Sequence, residues 1–311
     1  MGDRMRVTAL CGGIGGAKLA LGLEHSRATI TLVVNTGDDF DHYGLPICPD
    51  LDTVLYTLSG RANAEQGWGR EDESFGVQDE LLRLGQDGWF TLGDKDIALH
   101  LVRADLLGQG LTLTQVIGKL QVSFEISANI LPMSDQASPT TIESSEGVLS
   151  FQDYFVKRRC APEVRAINCG GSPASPDVMK NMHADNADAI ILCPSNPLLS
   201  VLPILETNGI RDSLRLRKVP ALAVSPIVGG QAVKGPTAKI FGELGLDVNG
   251  YSVAKIYQGL IDVFILDETE RELAPEIEAL GIRVEVADTM MRCLDDKIKV
   301  AEFCLQALSR S

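Results

Sequence analysis

The first sixty residues alternate short, wholly apolar stretches with segments of helical spacing. Val7–Cys11 is apolar and is closed by the run CGGIGG, the pattern of a buried strand that ends in a tight turn. Ala17–Glu24 follows as a short helix, and Thr29–Asn35 (TITLVVN), dense in β-branched residues, as a second buried strand. A strand, a helix and a strand in immediate succession predict parallel pairing. Asp50–Leu58 follows a proline, opens with acidic residues and sets Leu51, Val54, Leu55 and Leu58 at helical spacing, so it reads as a helix with a well-marked start.

Residues 60 to about 135 show helical spacing and no strand of comparable strength; Ile97–Leu107 and Leu113–Leu120 are the clearest helices. Thr140–Glu143 and Val148–Phe151, with Glu146-Gly147 between them, predict a hairpin. From Val164 onward the strand–helix rhythm returns. The strands expected are Val164–Cys169, Ala189–Cys193, Val219–Val224, Val263–Leu266 and Arg283–Val286, with helices near 176–184, 210–217, 236–245, 270–280 and 295–308. The expected architecture is α/β: a Rossmann-like, doubly wound, mostly parallel sheet forming one domain over 1–311. Its core would be 1–59 and 161–311, with a mainly helical inserted subdomain over about 60–160. In such sheets ligands lie beyond the carboxyl ends of the strands, so the strand-end loops are where chemistry is sought.

Composition narrows the function. The 311 residues are 45 % hydrophobic, enough for a sizeable core. With 28 basic against 42 acidic side chains the net charge is −14, which argues against a nucleic-acid partner, because a phosphate backbone needs Lys and Arg to displace its counterions. A small phosphorylated ligand stays open, since backbone N–H groups, a few local cations and a metal can hold one. The seven cysteines contain no C-x-x-C pair, which speaks against zinc and for reduced thiols. Arg4 and Arg6 before the apolar Val7–Leu23 imitate a signal peptide, but glycines and Lys18 interrupt it. No apolar run approaches the roughly 18 residues of a membrane span. A soluble, cytoplasmic protein is expected.

Five strand-end blocks carry candidate chemistry. In CGGIGGAK (Cys11–Lys18), Gly12, Gly13, Gly15 and Gly16 let backbone approach an anion, although the spacing is neither the dinucleotide fingerprint nor a P-loop; the alternative is a tight turn without a ligand. In NTGDDFDHYG, Asp38, Asp39 and Asp41 crowd one loop, and PDLDTVLYTL adds Asp50 and Asp52 a dozen residues on. One acid at a helix start is explained by capping, the second is not; a hard divalent cation such as Mg²⁺ or a solvated acidic turn would account for the set. In LGDKDIALHLVR, His100 and Arg103 share a helix face and, with Lys95, offer a grip on phosphate or a polar ring edge; a capped surface helix is the plainer alternative. CPSNP (Ser195, Asn196) and the block Ala223–Pro236 (Ser225, Gly229-Gly230) suit a nucleotide base or ribose, or turn chemistry alone. No G-x-S-x-G elbow surrounds Ser195 or Ser225, which disfavours serine hydrolysis.

Together with WGREDESFG (68–76), ANILPMSD (128–135) and FQDYFVKR (151–158), these blocks resemble, in order and over nearly the whole chain, the CofD family of 2-phospho-L-lactate transferases. The resemblance implies a Mg²⁺-dependent transferase of coenzyme F-420 biosynthesis. Such an enzyme moves a phosphorylated three-carbon acid from its guanosine diphosphate-activated form to the ribityl hydroxyl of the deazaflavin Fo, releases GMP and forms no covalent enzyme intermediate. It implies Asp52 and Lys95 at the Fo site, Lys95 standing where the family often has arginine. It also implies a GDP site around Gly12–Gly16, Ser195, Asn196 and Ser225, and a homodimer. Asp38 and Asp52 are the metal and catalytic candidates, with Asp39 and Asp50 as substitutes at the metal. A nucleotide-sugar-binding regulator of related fold is the competing reading. Its G-G-S-S-G loop after the acids is replaced here by FDHYGLPICPDLD. A nicotinamide-dependent dehydrogenase, lacking its glycine fingerprint, comes third. The donor acid stays open among phospholactate, phosphoenolpyruvate and 3-phosphoglycerate.

Overall fold

The apolar runs pair side by side as seven parallel strands in the computed structural model, which describes residues 4–63, 69–232 and 235–310. The strands are β1 (Arg6–Cys11), β2 (Thr29–Val34), β3 (Asn129–Pro132), β4 (Ala189–Leu192), β5 (Ala221–Val224), β6 (Val263–Asp267) and β7 (Arg283–Ala287). Their order is β3-β2-β1-β4-β5-β6-β7, and each neighbouring pair is parallel. This is the doubly wound order of a dinucleotide-type sheet with one strand added beyond the sixth.

The continuity of the apolar runs has a packing cause. In β1, Val7, Ala9 and Cys11 enter one core and Leu10 the other; in β4, Ile191 enters the first, and Ile190 and Leu192 the second. Both faces are covered, so neither can alternate with polar residues. On the first face lie α1 (Gly13–Glu24), α2 (Pro49–Leu58), α3 (Asp94–Gly108), α4 (Leu113–Ser123) and α5 (Leu294–Ser309), which contribute Leu19, Leu51, Leu99, Ile117 and Cys304 to that core. Shorter helices, among them Pro176–Asn181, Ile210–Arg215 and Thr237–Glu243, close the second with Val178, Leu214 and Phe241.

Three elements depart from the sequence expectation. The stretch 60–135 does contain a strand: β3 comes from it and pairs with β2, Thr31 opposite Asn129 and Val34 opposite Pro132. β3 is four residues long and sits at the sheet edge, the place where a proline without an N–H is tolerated, so its apolar signal is short and broken. Val164–Asn168 does not join the main sheet. It pairs antiparallel with Thr141–Ser144, which in turn pairs with Gly147–Ser150 to complete the expected hairpin. Finally, the acidic loop after β2 contains a second hairpin, Phe40–His42 with Leu45–Ile47. Its two-residue turn, Tyr43-Gly44, has positive φ at both positions (51° and 75°), which matches the twist of the flanking strands. Trp68, Val233 and Lys234 of the blocks quoted above lie outside the described residues. Among the described residues no helix is long and apolar enough to cross a membrane.

Candidate active site

The strand order reverses between β1 and β4, and a cleft of about 850 Å³ opens there at the carboxyl ends. The turn after β1, the loop after β2, the first turn of α2 and the loops after β4 and β5 all reach it.

The glycine run allows two elements to meet. The Gly12 N–H donates to Ser195 Oγ at 3.1 Å, and the Gly13 N–H donates to Asp50 Oδ1 at 2.7 Å. A Cβ on Gly12 would stand 2.6 Å from Asp50 Oδ2 and 2.7 Å from Ser200 Cβ, and one on Gly15 would overlap the Pro194 carbonyl oxygen. Without side chains, α1 therefore starts directly against both α2 and the loop after β4. Gly12, Gly13 and Gly15 line the cleft, whereas Gly16 packs behind it on Ser195 and Cys11.

Asp38 and Asp50 meet through Asn35 at the end of β2. Asn35 Nδ2 donates to Asp50 Oδ2 at 2.9 Å and to Asp38 Oδ1 at 3.1 Å. Both acids are buried and line the cleft. Burial pushes the Asp50 carboxyl up to about 6, against the hydrogen bonds from Asn35, Gly13 and Ser200. Burial also raises Asp38 well above the ordinary carboxylate range, helped by the charges of Asp50 and Asp39. Burial disfavours the charged form of both carboxyls, and a cation placed beside them would restore the carboxylates. Among the described residues no three His, Cys, Asp or Glu side chains converge to hold an ion by themselves. The pair instead suits Mg²⁺, which is commonly held by one or two carboxylates plus the phosphates of its substrate. Asp39 lies off the cleft: its carboxyl, also raised by burial, takes a hydrogen bond from the Cys48 thiol, and its Oδ1 has no hydrogen-bond partner among the described residues.

Asp52 already has its counter-charge. Both guanidinium Nη atoms of Arg103 donate to its carboxylate, Nη1 at 3.2 Å, and Nη1 also donates to the Pro46 carbonyl at 3.1 Å. Arg103 is fully buried; burial, the largest single influence, opposes its charge, but Asp52, Cys48 and Asp39 together outweigh it and raise the pKa. The second acid of α2 is thus explained by an internal ion pair. His100 Nδ1 stands 3.7 Å from Asp52 Oδ2, and burial lowers His100 to about 4, so the imidazole is neutral near pH 7. Asp52 and Tyr56 one turn apart on α2 face Asp96 and His100 one turn apart on α3, and the Tyr56 hydroxyl donates to Asp96 Oδ1 at 2.6 Å. Burial lifts Asp96 to about 6. All four line the cleft; Arg103 does not.

Lys95 is also outside the cleft lining, and its ammonium donates to the Glu71 carbonyl at 3.3 Å. Ser195 supports Gly12 from behind. Asn196 caps the turn that follows it through the Leu198 and Leu199 N–H groups and donates to Thr237 Oγ1, while Ser225 closes a tight turn with Ile227. Asn196 and Ser225 still border the cleft. The sequence reading left out Asn35, Ser200, Tyr56 and Asp96, and the aromatic wall of Trp89, Phe90, Phe151 and Phe155. Asn35 and Tyr56 lay inside blocks singled out for their acids. Phe151 and Phe155 lay in the quoted block FQDYFVKR, but nothing in the sequence tied them to Trp89-Phe90 some sixty residues earlier.

A sequence profile of the family described as "2-phospho-L-lactate transferase CofD" matches residues 7–300. A phosphoenolpyruvate transferase of Streptomyces griseus is 40 % identical, over 97 % of this chain and 98 % of that protein. A 2-phospho-L-lactate transferase of Methanosarcina mazei is 38 % identical, over 95 % and 98 %. A crystal structure of a UPF0052-family protein from Bacillus halodurans superposes with a TM-score of 0.66 at 15 % identity, covering 97 % of this chain and 99 % of that one, which is a likeness of fold.

Proposed function

The chain belongs to the CofD family and is a transferase, and from that we propose that it moves a phosphorylated three-carbon acid from a guanosine diphosphate-activated donor to the terminal ribityl hydroxyl of the deazaflavin Fo, releasing GMP. One juxtaposition carries the reading: the Asp38–Asn35–Asp50 cluster against the glycine turn and the aromatic wall share one cleft. The first suits a phosphate-bearing donor, and the second a planar ring system. Phosphoryl transfer asks for positioning and charge neutralisation rather than a nucleophilic side chain. A Mg²⁺ held by Asp38 and Asp50 would neutralise charge on the transferred phosphoryl group. Asp52, oriented by Arg103, accepts the hydrogen bond of the ribityl hydroxyl and takes its proton as that oxygen attacks phosphorus. The new P–O bond forms to that oxygen as the P–O bond to GMP breaks. Phe151 and Phe155, stacked with centroids 5.4 Å apart, and Trp89 on another segment shield the ring from water.

The reading extends to a cytoplasmic homodimer. Phe75, Val77, Leu82, Leu101 and Val102 are exposed on and beside two neighbouring helices, Gly76–Arg83 and α3, and offer an apolar face to a second copy. Light scattering of the purified protein checks this.

The activity is tested by incubating the protein with Fo, GTP, Mg²⁺, a guanylylating enzyme and each of phospholactate, phosphoenolpyruvate and 3-phosphoglycerate, with products read by mass spectrometry. The expected outcome is one phosphoacid adduct of Fo and stoichiometric GMP. A guanylylated donor that forms with each acid and is never consumed overturns the proposal.

A further inference from the structure

The aromatic wall of the cleft is assembled from two segments, and a cation–π contact joins them. Trp89 and Phe90 stand on an irregular stretch after the helix Gly76–Arg83. Phe40 and His42 of the hairpin after β2 pack behind them, outside the cleft lining: the Phe40 and Phe90 rings meet edge to face at 4.8 Å, and the His42 and Trp89 rings at 5.4 Å. Phe151, Phe155 and Val156 form the other side. Phe155 and Val156 belong to the π-helical turn Asp153–Lys157, and Gln152 beside it donates from Nε2 to the Asp38 carbonyl at 3.1 Å. Each side is thus tied to the segment after β2 by its own contacts. Lys157 closes the π-helical turn, and its ammonium stands 5.6 Å from the centroid of the Trp89 ring. The Lys157 side chain is exposed and does not line the cleft.

We infer that Lys157 is a positioning residue for the acceptor: its ammonium on Trp89 clasps the two sides of the aromatic wall around the planar ring system of Fo. The inference deepens the transferase reading, on which it rests. The negative face of an indole attracts a cation within about 6 Å, and at an exposed site the attraction is modest. That strength suits a clasp that must part to admit and release a ring. Lys157 acts on the ring only through Trp89, so its loss changes how firmly the wall is held and leaves the GDP end of the cleft alone. An arginine at this position would keep the contact, because a guanidinium also lies on aromatic faces.

The test titrates the full chain calorimetrically with Fo and with GDP, in the presence of Mg²⁺, for wild type, Lys157→Gln and Lys157→Arg, each confirmed as folded by circular dichroism. The same proteins labelled with 5-fluorotryptophan give fluorine spectra in which the two tryptophans, Trp68 and Trp89, are told apart with Trp89→Phe. Lys157→Gln is expected to weaken Fo binding by about two- to fivefold, the range of an exposed cation–π contact, and to leave GDP binding unchanged. Its Trp89 resonance should move, with a larger shift between H₂O and D₂O as the ring becomes more exposed, and Lys157→Arg should return both readouts toward wild type. An unmoved Trp89 resonance in Lys157→Gln, wild-type Fo affinity in that variant, or an equal loss for Fo and GDP overturns the role of Lys157 and leaves the transferase reading standing. Wild-type protein that binds no Fo overturns both.

Discussion

Asp52 and Arg103 form an ion pair behind the wall of the cleft, their side chains 8 % and 0 % exposed. The arginine belongs to α3 and the aspartate to α2, so the contact ties together two helices whose inner faces carry Tyr56, Asp96 and His100. Asp52 therefore reaches the cleft from a fixed position.

Removing one member of this pair leaves the other buried and uncompensated. Arg103→Met and Asp52→Asn are each expected to cost about 3–5 kcal/mol of stability. The double variant should recover a large part of that loss, since an apolar side chain and an amide leave no bare charge. Urea denaturation of the four proteins gives the coupling energy. Single variants that lose less than about 1 kcal/mol would place the pair among ordinary surface bridges.

Asp50 has a defined pH signature. Its folded-state pKa, about 6, is above the ordinary carboxylate value near 3.9. Between those values the folded protein keeps a proton that the unfolded chain has released, so this group's contribution falls as pH rises from about 4 to about 6. Asp38 acts in the same direction. Asp50→Asn should flatten this part of the melting-temperature profile measured without divalent ions. Mg²⁺ should raise the melting temperature of wild type above pH 6 and have little effect on the variant. An identical Mg²⁺ response in both proteins excludes Asp50 as a metal holder.

His100 works with the opposite sign. Its pKa is lowered to about 4, below the ordinary imidazole value near 6.5, so the unfolded chain takes up a proton first as pH falls. The stability it contributes is complete above about pH 6.5 and is lost as pH falls toward 4. His100→Gln should remove this acid limb. A histidine resonance titrating near 4 in the wild type and missing from the variant identifies the group; titration of His100 near 6.5 would contradict its burial.

Gly15 tests the close start of α1. Gly15→Ala puts a methyl on the rigid Pro194 carbonyl, where no flexible side chain can yield. The expected cost is about 1–3 kcal/mol, as for other overpacked sites. GDP affinity should fall as well, because the displaced helix carries Gly13 away from Asp50. Gly118→Ala, on α4 with nothing within 4 Å of the added methyl, is the control expected to bind normally.

Local sequence pattern was enough to locate six of the seven main strands' apolar segments, the start of α2 and the glycine turn. In those places one short segment carries both the burial pattern and its boundary residues: β1 ends at the glycines, and α2 begins at Pro49 with two acids. β3 was hidden because an edge strand of four residues ending in Pro132 has little periodicity to read, and the partner of Val164–Asn168 was a choice among sheets that only three-dimensional pairing makes. The acids of the site were visible as residues, but their roles were not. Asp50 and Asp52 stand two positions apart in one helical turn. The first faces Asn35 and Gly13, and the second faces an arginine 51 residues away. Charge compensation acts through space, over a few ångströms, between side chains that the chain order separates. Which carboxylate pairs with an arginine, and which with an amide and a backbone N–H, was therefore settled by packing.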